Sequence, residues 1–306
     1  MTQESLISTR SVATLLNVAE TTVKRWADDN TLPCVKSPGG HRKFLVQQVI
    51  EFAEKHKYPV TGLLPPPLTQ QQHEQLQLGV HSRNFPLLSK IFLEEALQAD
   101  RDGLRDLMSY VYKHRIAFTD LVDNILRPAM EEVGNLWEQK KLEVNQEHRI
   151  SQAVTEALHW FSPELHRKAK NGQTVVLCCG EQELHCLGLQ AIAYGLECEG
   201  WTMHLLGANM PFDSLHSYIK SAKPAVVCIS LTIEKNIRNK RNELRRIAQA
   251  THSAGGILML GGAAVRSASA KDFGCDYIAG SLKETISFAD ERLKQKTTSH
   301  KKSKRK

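Results

Sequence analysis

Residues 174–188 read TVVLCCGEQELHCLG, and the fold of the C-terminal half follows from how this stretch divides. Thr174 to Cys179 is a continuous apolar run between Gly172 and Gly180, the pattern of a strand buried on both faces. A polar loop follows, and from Leu187 towards Glu199 apolar residues recur at helical spacing. A strand, a loop and a helix start form the place where open α/β sheets bind ligands, outside the carboxyl ends of their strands. Within that loop Glu183 stands two residues before His185. An imidazole with one nitrogen held by a carboxylate presents the other to a metal, so the pair is a candidate ligand with its orienting partner. The same residues also suit an ordinary solvated loop histidine, and the rest of the chain decides between the two.

Further strand signals fall at 202–206, 225–231, 257–260 and 276–279, with helical patterns near 187–199, 213–221, 236–253 and 281–293. This alternation predicts a parallel, doubly wound, flavodoxin-like (Rossmann-like) sheet over residues 172–293. Ser230-Leu231-Thr232 ends the third strand and Gly261-Gly262 the fourth, which puts both on the same edge as the Glu183–His185 loop. Hydroxyls there can bond a ligand's polar edge, and paired glycines let a backbone come close to it. No Gly-x-Gly-x-x-Gly follows the first strand, which argues against a dinucleotide site.

Upstream, residues 85–168 carry helical periodicity throughout and predict a four-helix bundle, its third helix running through Pro128 to Trp137. Trp137 is followed, after nine residues, by Glu147-His148 at the start of the fourth helix. A short loop can bring these to one end of the bundle, where an indole wall and two hydrogen-bonding groups could face a ligand. A core tryptophan beside ordinary polar residues at a helix start is the plainer reading. Residues 59–84, with Pro59, Pro65-Pro66-Pro67 and Gln70-Gln71-Gln72, read as a linker, stiff at the prolines and otherwise flexible.

Residues 1–58 form a compact helical unit. A short helix led by Ser8 and Thr9, a tight turn at 17–20 and a second helix from Thr21 or Thr22 fit a helix-turn-helix. The second helix leads with Thr21 and Thr22 and then presents Lys24 and Arg25, a mix suited to phosphates and base edges. Ser37-Pro38-Gly39-Gly40-His41-Arg42-Lys43-Phe44 reads as a β-wing, its glycines making the turn and Arg42 and Lys43 reaching a DNA backbone.

The net charge of +7 is concentrated. Residues 294–306 hold seven lysines and arginines and no acid; without them the 40 basic residues fall to the number of the 33 acidic ones. This end reads as a solvated, disordered tail or a non-specific attraction for nucleic acid. Seven cysteines with no Cys-x-x-Cys suit small apolar residues in a reducing compartment. No apolar run reaches the ~18 residues of a membrane span, and the N-terminus lacks a secretion pattern, so a cytoplasmic protein is expected.

Residues 8–44, from STRSVATLLNVAETTVKRWADDN through the Gly39-Gly40-His41-Arg42-Lys43-Phe44 wing, resemble the winged helix of MerR-type transcription regulators. Glu183-x-His185-x-x-Gly188, Ser230-x-Thr232 and Gly261-Gly262 resemble the cobalamin-binding signature, with Glu at the position where Asp is commoner. In that family the histidine is the lower cobalt ligand, Gly188 leaves room beside the nucleotide tail, Ser230 bonds the buried base and the paired glycines line its slot. With Trp137 and Glu147-His148 in front, residues 6–290 are similar to the adenosylcobalamin-dependent photoreceptor repressors of the CarH/LitR type.

That resemblance implies a non-enzymatic, light-responsive repressor. It binds operator DNA in the dark as an adenosylcobalamin-loaded homo-oligomer, a tetramer in the family, with Trp137, Glu147 and His148 against the adenosyl group. Light breaks the Co–C bond and releases the DNA. One departure stands out: family members carry histidine directly after the tryptophan, where this chain has Glu138. After illumination water, His148, His114 or a carboxylate could then take the upper position on cobalt. A light-independent adenosylcobalamin sensor and a corrinoid methyl carrier are the alternative functions, the second having no use for a winged helix.

Overall fold

A computed structural model describes residues 6–37, 39–58, 68–237 and 239–303. Pro38 of the wing turn, the linker prolines Pro59, Pro65, Pro66 and Pro67, and Lys304, Arg305 and Lys306 of the basic end lie outside the described residues. The chain divides into two units, one made of residues 1–117 and 144–161, the other of 118–143 and 162–306.

In the first unit a three-stranded antiparallel sheet has the order β1-β3-β2, with β1 at Leu6–Ser8, β2 at Val35–Lys36 and β3 at Arg42–Leu45. Helices α1 (Thr9–Leu15), α2 (Glu20–Asp28) and α3 (Val46–Lys55) surround it. Their apolar faces meet in one small core of Val12, Leu16, Val23, Leu32, Phe44, Val49 and Phe52, against which Trp26 and Tyr58 pack. This is the expected winged helix-turn-helix, and α2 begins one residue earlier than the threonines suggested, at Glu20.

Four more helices follow in this unit: α4 (Gln70–Ser82), α5 (Phe85–Gln98), α6 (Arg101–Lys113) and α9 (Val144–Phe161). They bury Leu76, Val80, Leu88, Ile91, Phe92, Leu104, Leu107, Met108, Ile150, Val154, Leu158 and Phe161. Helix α4 corrects the expectation of a linker running to residue 84. Thr69 and Gln72 form a reciprocal capping box, the threonine hydroxyl taking the Gln72 N–H and the glutamine oxygen taking the Thr69 N–H. Glutamine is a good helix former, so a Gln run behind such a cap becomes a helix.

The expected third bundle helix groups with the second unit instead. It comprises α7 (Phe118–Leu121), a π turn (Val122–Leu126) and α8 (Arg127–Glu138). The π turn accommodates Pro128, which has no N–H to give. The Arg127 N–H bonds the Val122 carbonyl, which leaves the Asp123 carbonyl without its usual helical donor. The Arg127 guanidinium fills the gap, donating to that carbonyl at 3.1 and 3.3 Å and to the Gly280 carbonyl at 2.8 Å.

The remainder of this unit is a five-stranded parallel sheet ordered β5-β4-β6-β7-β8. Its strands are β4 (Thr174–Cys179), β5 (Thr202–Gly207), β6 (Val226–Ser230), β7 (Ile257–Gly261) and β8 (Tyr277–Ala279). Alternation sorts the side chains between two layers. Val175, Leu177 and Cys179 meet Leu189, Ala193 and Leu196 of α10 (Leu187–Cys198) and Ala289 of α15 (Leu282–Ser303). Val176 and Cys178 meet Leu215 and Ile219 of α11 (Phe212–Ala222) and Leu244 and Ile247 of α13 (Arg241–Ser253).

The expected helix at 236–253 is split into a short α12 (Glu234–Ile237) and α13. The last helix was expected to stop at residue 293, with a disordered tail beyond, but α15 continues to Ser303. Lys294, Gln295, Lys296, Lys301 and Lys302 are good helix formers and favour the extension across the Thr, Ser and His between them. No helix of the described residues is long and apolar enough to cross a membrane.

Candidate functional site

The order β5-β4-β6-β7-β8 reverses direction between β4 and β6, and a doubly wound sheet opens its ligand crevice at that switch point. Two loops emerge there: residues 180–186 after β4, and Leu231-Thr232-Ile233 after β6. The register Cys179↔Ser230 and Ser230↔Gly261 places the predicted residues of three strands on one edge.

Glu183 is the centre of this edge. Its side chain is 1% exposed, and each carboxylate oxygen accepts two hydrogen bonds. Oε2 accepts the Thr232 N–H at 2.7 Å and the Ile233 N–H at 2.9 Å. Oε1 accepts the His185 backbone N–H at 3.2 Å and His185 Nδ1 at 2.6 Å. Burial pushes the carboxyl up, but the bonds from the His185 ring and from the Thr232, His185 and Ile233 amides outweigh it and bring the pKa down to about 2.

A carboxylate at Nδ1 selects the tautomer protonated there and puts the ring's in-plane lone pair on Nε2. The His185 side chain is 60% exposed, so the ring stands at the surface on a buried base. Leu184 and Ile233 are exposed apolar neighbours on the same edge.

The glycines divide into two kinds. A Cβ on Gly188 would meet nothing within 4 Å, so the chain leaves open space beside the start of α10. Gly262 has φ of 104°, and a Cβ there would lie 2.2 Å from the Leu231 carbonyl oxygen; the loop after β6 itself requires glycine. At Gly261 a Cβ would approach the Ala279 carbonyl at 3.3 Å. Ser230 is half-buried at the end of β6, where its carbonyl accepts the Gly180 N–H at 3.1 Å.

Two thiols that the motif does not include also belong to this edge. Cys179 Sγ lies 3.1 Å from Cys186 Sγ and 3.5 Å from the carbonyl oxygen of His185. Burial, followed by the Cys186 thiol, pushes the Cys179 thiol far above the ordinary range.

Trp137 and the Glu147-His148 pair fall in different units. Trp137 lies in the last turn of α8 and is 45% exposed, more than a core tryptophan would be. Glu147 is half-buried in the first turn of α9 and accepts the Ser151 hydroxyl at 2.5 Å, while the His148 side chain is 74% exposed. His114 is held by the Tyr110 carbonyl at 2.8 Å.

On the winged helix, Thr21, Lys24 and Arg25 are exposed along α2, with Thr22 half-buried among them. Val23 and Ala27 anchor the opposite face. His41 is exposed at the wing turn and Lys43 is half-buried on β3. Arg42 does something the sequence did not suggest: its guanidinium pairs with Asp28 at the end of α2 and so ties the wing to that helix.

Asp123 was also missed. Its buried carboxylate accepts the Leu282 N–H at 2.8 Å and the Lys283 N–H at 3.0 Å, capping α15. An acidic residue inside the apolar run LVDNIL is a signal that a partner is required.

The family description of a helix-turn-helix domain matches residues 6–57, and two descriptions of a B12 binding domain match residues 89–160 and 173–287. The HTH-type transcriptional repressor CarH of Myxococcus xanthus is 32% identical over 149 residues, which cover 47% of this chain and 48% of the repressor; the match spans about half of that relative's length. Dimethylamine corrinoid protein 1 of Methanosarcina acetivorans is 24% identical over 178 residues, covering 57% of this chain and 83% of that protein. Among solved structures, the Methanosarcina barkeri monomethylamine corrinoid protein superposes with a TM-score of 0.57 at 18% identity, over 65% of this chain and 95% of that one, a likeness of fold. The chain thus carries one segment that matches a helix-turn-helix domain and two that match B12 binding domains.

Proposed function

We propose that this protein is a cobalamin-binding transcription regulator, and more narrowly a repressor that holds operator DNA in the dark and releases it in light. The observation that carries the reading is His185 standing exposed on the buried, fully bonded Glu183, in a chain that also carries a winged helix. The site suits a cobalt corrinoid. His185 Nε2 would bind the metal, with Glu183 setting the ring's tautomer and angle. The open space at Gly188, the hydroxyl of Ser230 and the backbone of Gly261 and Gly262 would receive the nucleotide tail, and Thr232 positions Glu183.

In its adenosyl form the group supplies a light-sensitive cobalt–carbon bond. Trp137, Glu147 and His148 are proposed to contact the adenosyl moiety and so favour one conformation while it is present. In that state copies of the chain assemble, a tetramer in this reading, and several winged helices grip one operator by avidity. Thr21, Thr22, Lys24, Arg25, His41 and Lys43 would touch the DNA, with Arg42 holding the wing in place through Asp28. With Glu138 after Trp137, the illuminated state keeps no histidine at that position for cobalt, and we expect it to be held less firmly.

Gel-shift and size measurements on the full chain with adenosylcobalamin, in the dark and under green light, test the proposal. The expected result is dark DNA binding by an oligomer that light dissociates. DNA binding that depends on adenosylcobalamin yet ignores light would favour the light-independent sensor, and no DNA binding in either state would favour the corrinoid methyl carrier.

A further inference from the structure

We infer that Cys179 and Cys186 are an oxidative modification site: a dithiol that closes to a disulfide under peroxide and thereby changes the seating of His185. The two sulfurs lie 3.1 Å apart, and a disulfide at ~2.05 Å requires them to close by about 1 Å. They sit at the two ends of the loop that carries the metal-ligand pair, Cys179 as the last residue of β4 and Cys186 as the N-cap of α10. All seven cysteines are free, and Cys178 packs into the opposite layer of the sheet from Cys179. Disulfides in reducing compartments are characteristically transient and redox-sensing.

The chemistry follows from accessibility. Cys186 is half-buried and reachable, whereas Cys179 is fully buried. The Cys186 sulfur attacks one oxygen of hydrogen peroxide, the O–O bond breaks, and the first water leaves behind a sulfenic acid on Cys186. The Cys179 sulfur then attacks the Cys186 sulfur. The S–O bond breaks, the S–S bond forms, and the Cys179 proton leaves with the hydroxyl as a second water. The dithiol has given two electrons to the peroxide, and a reducing dithiol reverses the reaction by exchange.

The coupling to His185 is geometric. In the reduced chain the Cys179 thiol donates to the His185 carbonyl, while the His185 amide and ring both bond Glu183. The bridge removes the thiol proton, so that carbonyl loses a donor as the neighbouring residue is drawn towards β4. The peptide that presents the imidazole therefore shifts.

The test uses the full chain without cofactor, treated with hydrogen peroxide and mapped by peptide mass spectrometry, with NMR of the histidine ring resonances alongside. The expected result is one bridge between Cys179 and Cys186, lighter by two hydrogens and reversed by dithiothreitol. The His185 ring resonances should move on bridging, whereas His252 and His216 should not. Both effects should vanish in Cys186→Ser, and in Cys179→Ala as a second variant at the buried end. A Cys186 that proceeds to sulfinic acid without bridging, or a bridge that leaves the His185 resonances unmoved, overturns the inference. A hydroxocobalamin titration of reduced and bridged chain adds a readout that rests on the proposed function, with Kd expected to rise about tenfold on bridging. If neither form takes up cobalamin, the proposed function fails while the bridge, read without cofactor, stands.

Discussion

The loop after β4 and the π turn before α8 each bury a carboxylate in the second unit, and each carboxylate receives two consecutive backbone N–H groups. Glu183 takes those of Thr232 and Ile233; Asp123 takes those of Leu282 and Lys283. What lies on the other side differs. Both Asp123 oxygens are consumed by the first turn of α15, so the group ends in the fold. Glu183 commits one oxygen to the fold and turns the other to His185, whose ring is exposed. A buried acid satisfied by backbone on every side stabilises, whereas one that shares itself with an exposed imidazole exists to present that ring.

The sharpest way to break this contrast is His185→Ala. Absorbance titration should show cobalamin uptake lost, while unfolding free energy falls by only about 1 kcal/mol, because Glu183 Oε1 loses the ring donor but keeps the His185 amide. A large stability loss would mean that the imidazole, like Asp123, belongs to the fold. Next comes Asp123→Ala, which strands the buried Leu282 N–H at about 1–3 kcal/mol and removes the N-terminal cap that also takes the Lys283 N–H; unfolding free energy should fall by about 2 kcal/mol.

Glu183→Gln keeps an oxygen for the amides and loses the charge behind the ring. Cobalamin affinity should weaken by about 10–100-fold, with a smaller change in stability than Asp123→Ala gives. The smallest effects separate two arginines of the winged helix. Arg25→Ala should reduce the salt slope of DNA binding by about 1, whereas Arg42→Ala should leave the slope unchanged and lower stability by about 0.2–1 kcal/mol through loss of the Asp28 pair.

How much of this was readable in the sequence tracks how far apart the partners lie. Glu183 and His185 are two residues apart at the end of an unmistakable buried strand, so both the pairing and its place on the sheet edge could be read directly. The amides of Thr232 and Ile233 could be placed on that edge, though not aimed at Glu183, because loop conformation is set by packing. Asp123 meets its amides about 160 residues away, a distance no local pattern spans. Arg42 looked like a DNA contact because its attraction to Asp28 depends on the fold of the wing over α2. Thr69 and Gln72 were local and legible, but the Gln run beside them reads as low complexity and drew attention from the cap. The pairing of Cys179 with Cys186 needed the loop to double back, which periodicity does not report.

The π turn at Val122–Leu126 has an angular consequence. It amounts to one extra residue inserted into an α-helix, and each helical residue advances the chain by about 100° and 1.5 Å. Everything beyond it, including the indole of Trp137, is therefore rotated by that step about the helix axis relative to an uninterrupted helix. Two neighbours keep the setting: Pro128 has no N–H with which to close a regular turn, and Arg127 already occupies the Asp123 carbonyl. Removing a single residue from this segment would turn it into a regular α-turn and keep Trp137 on its present side, whereas straightening it at full length would swing the indole to another side of its helix.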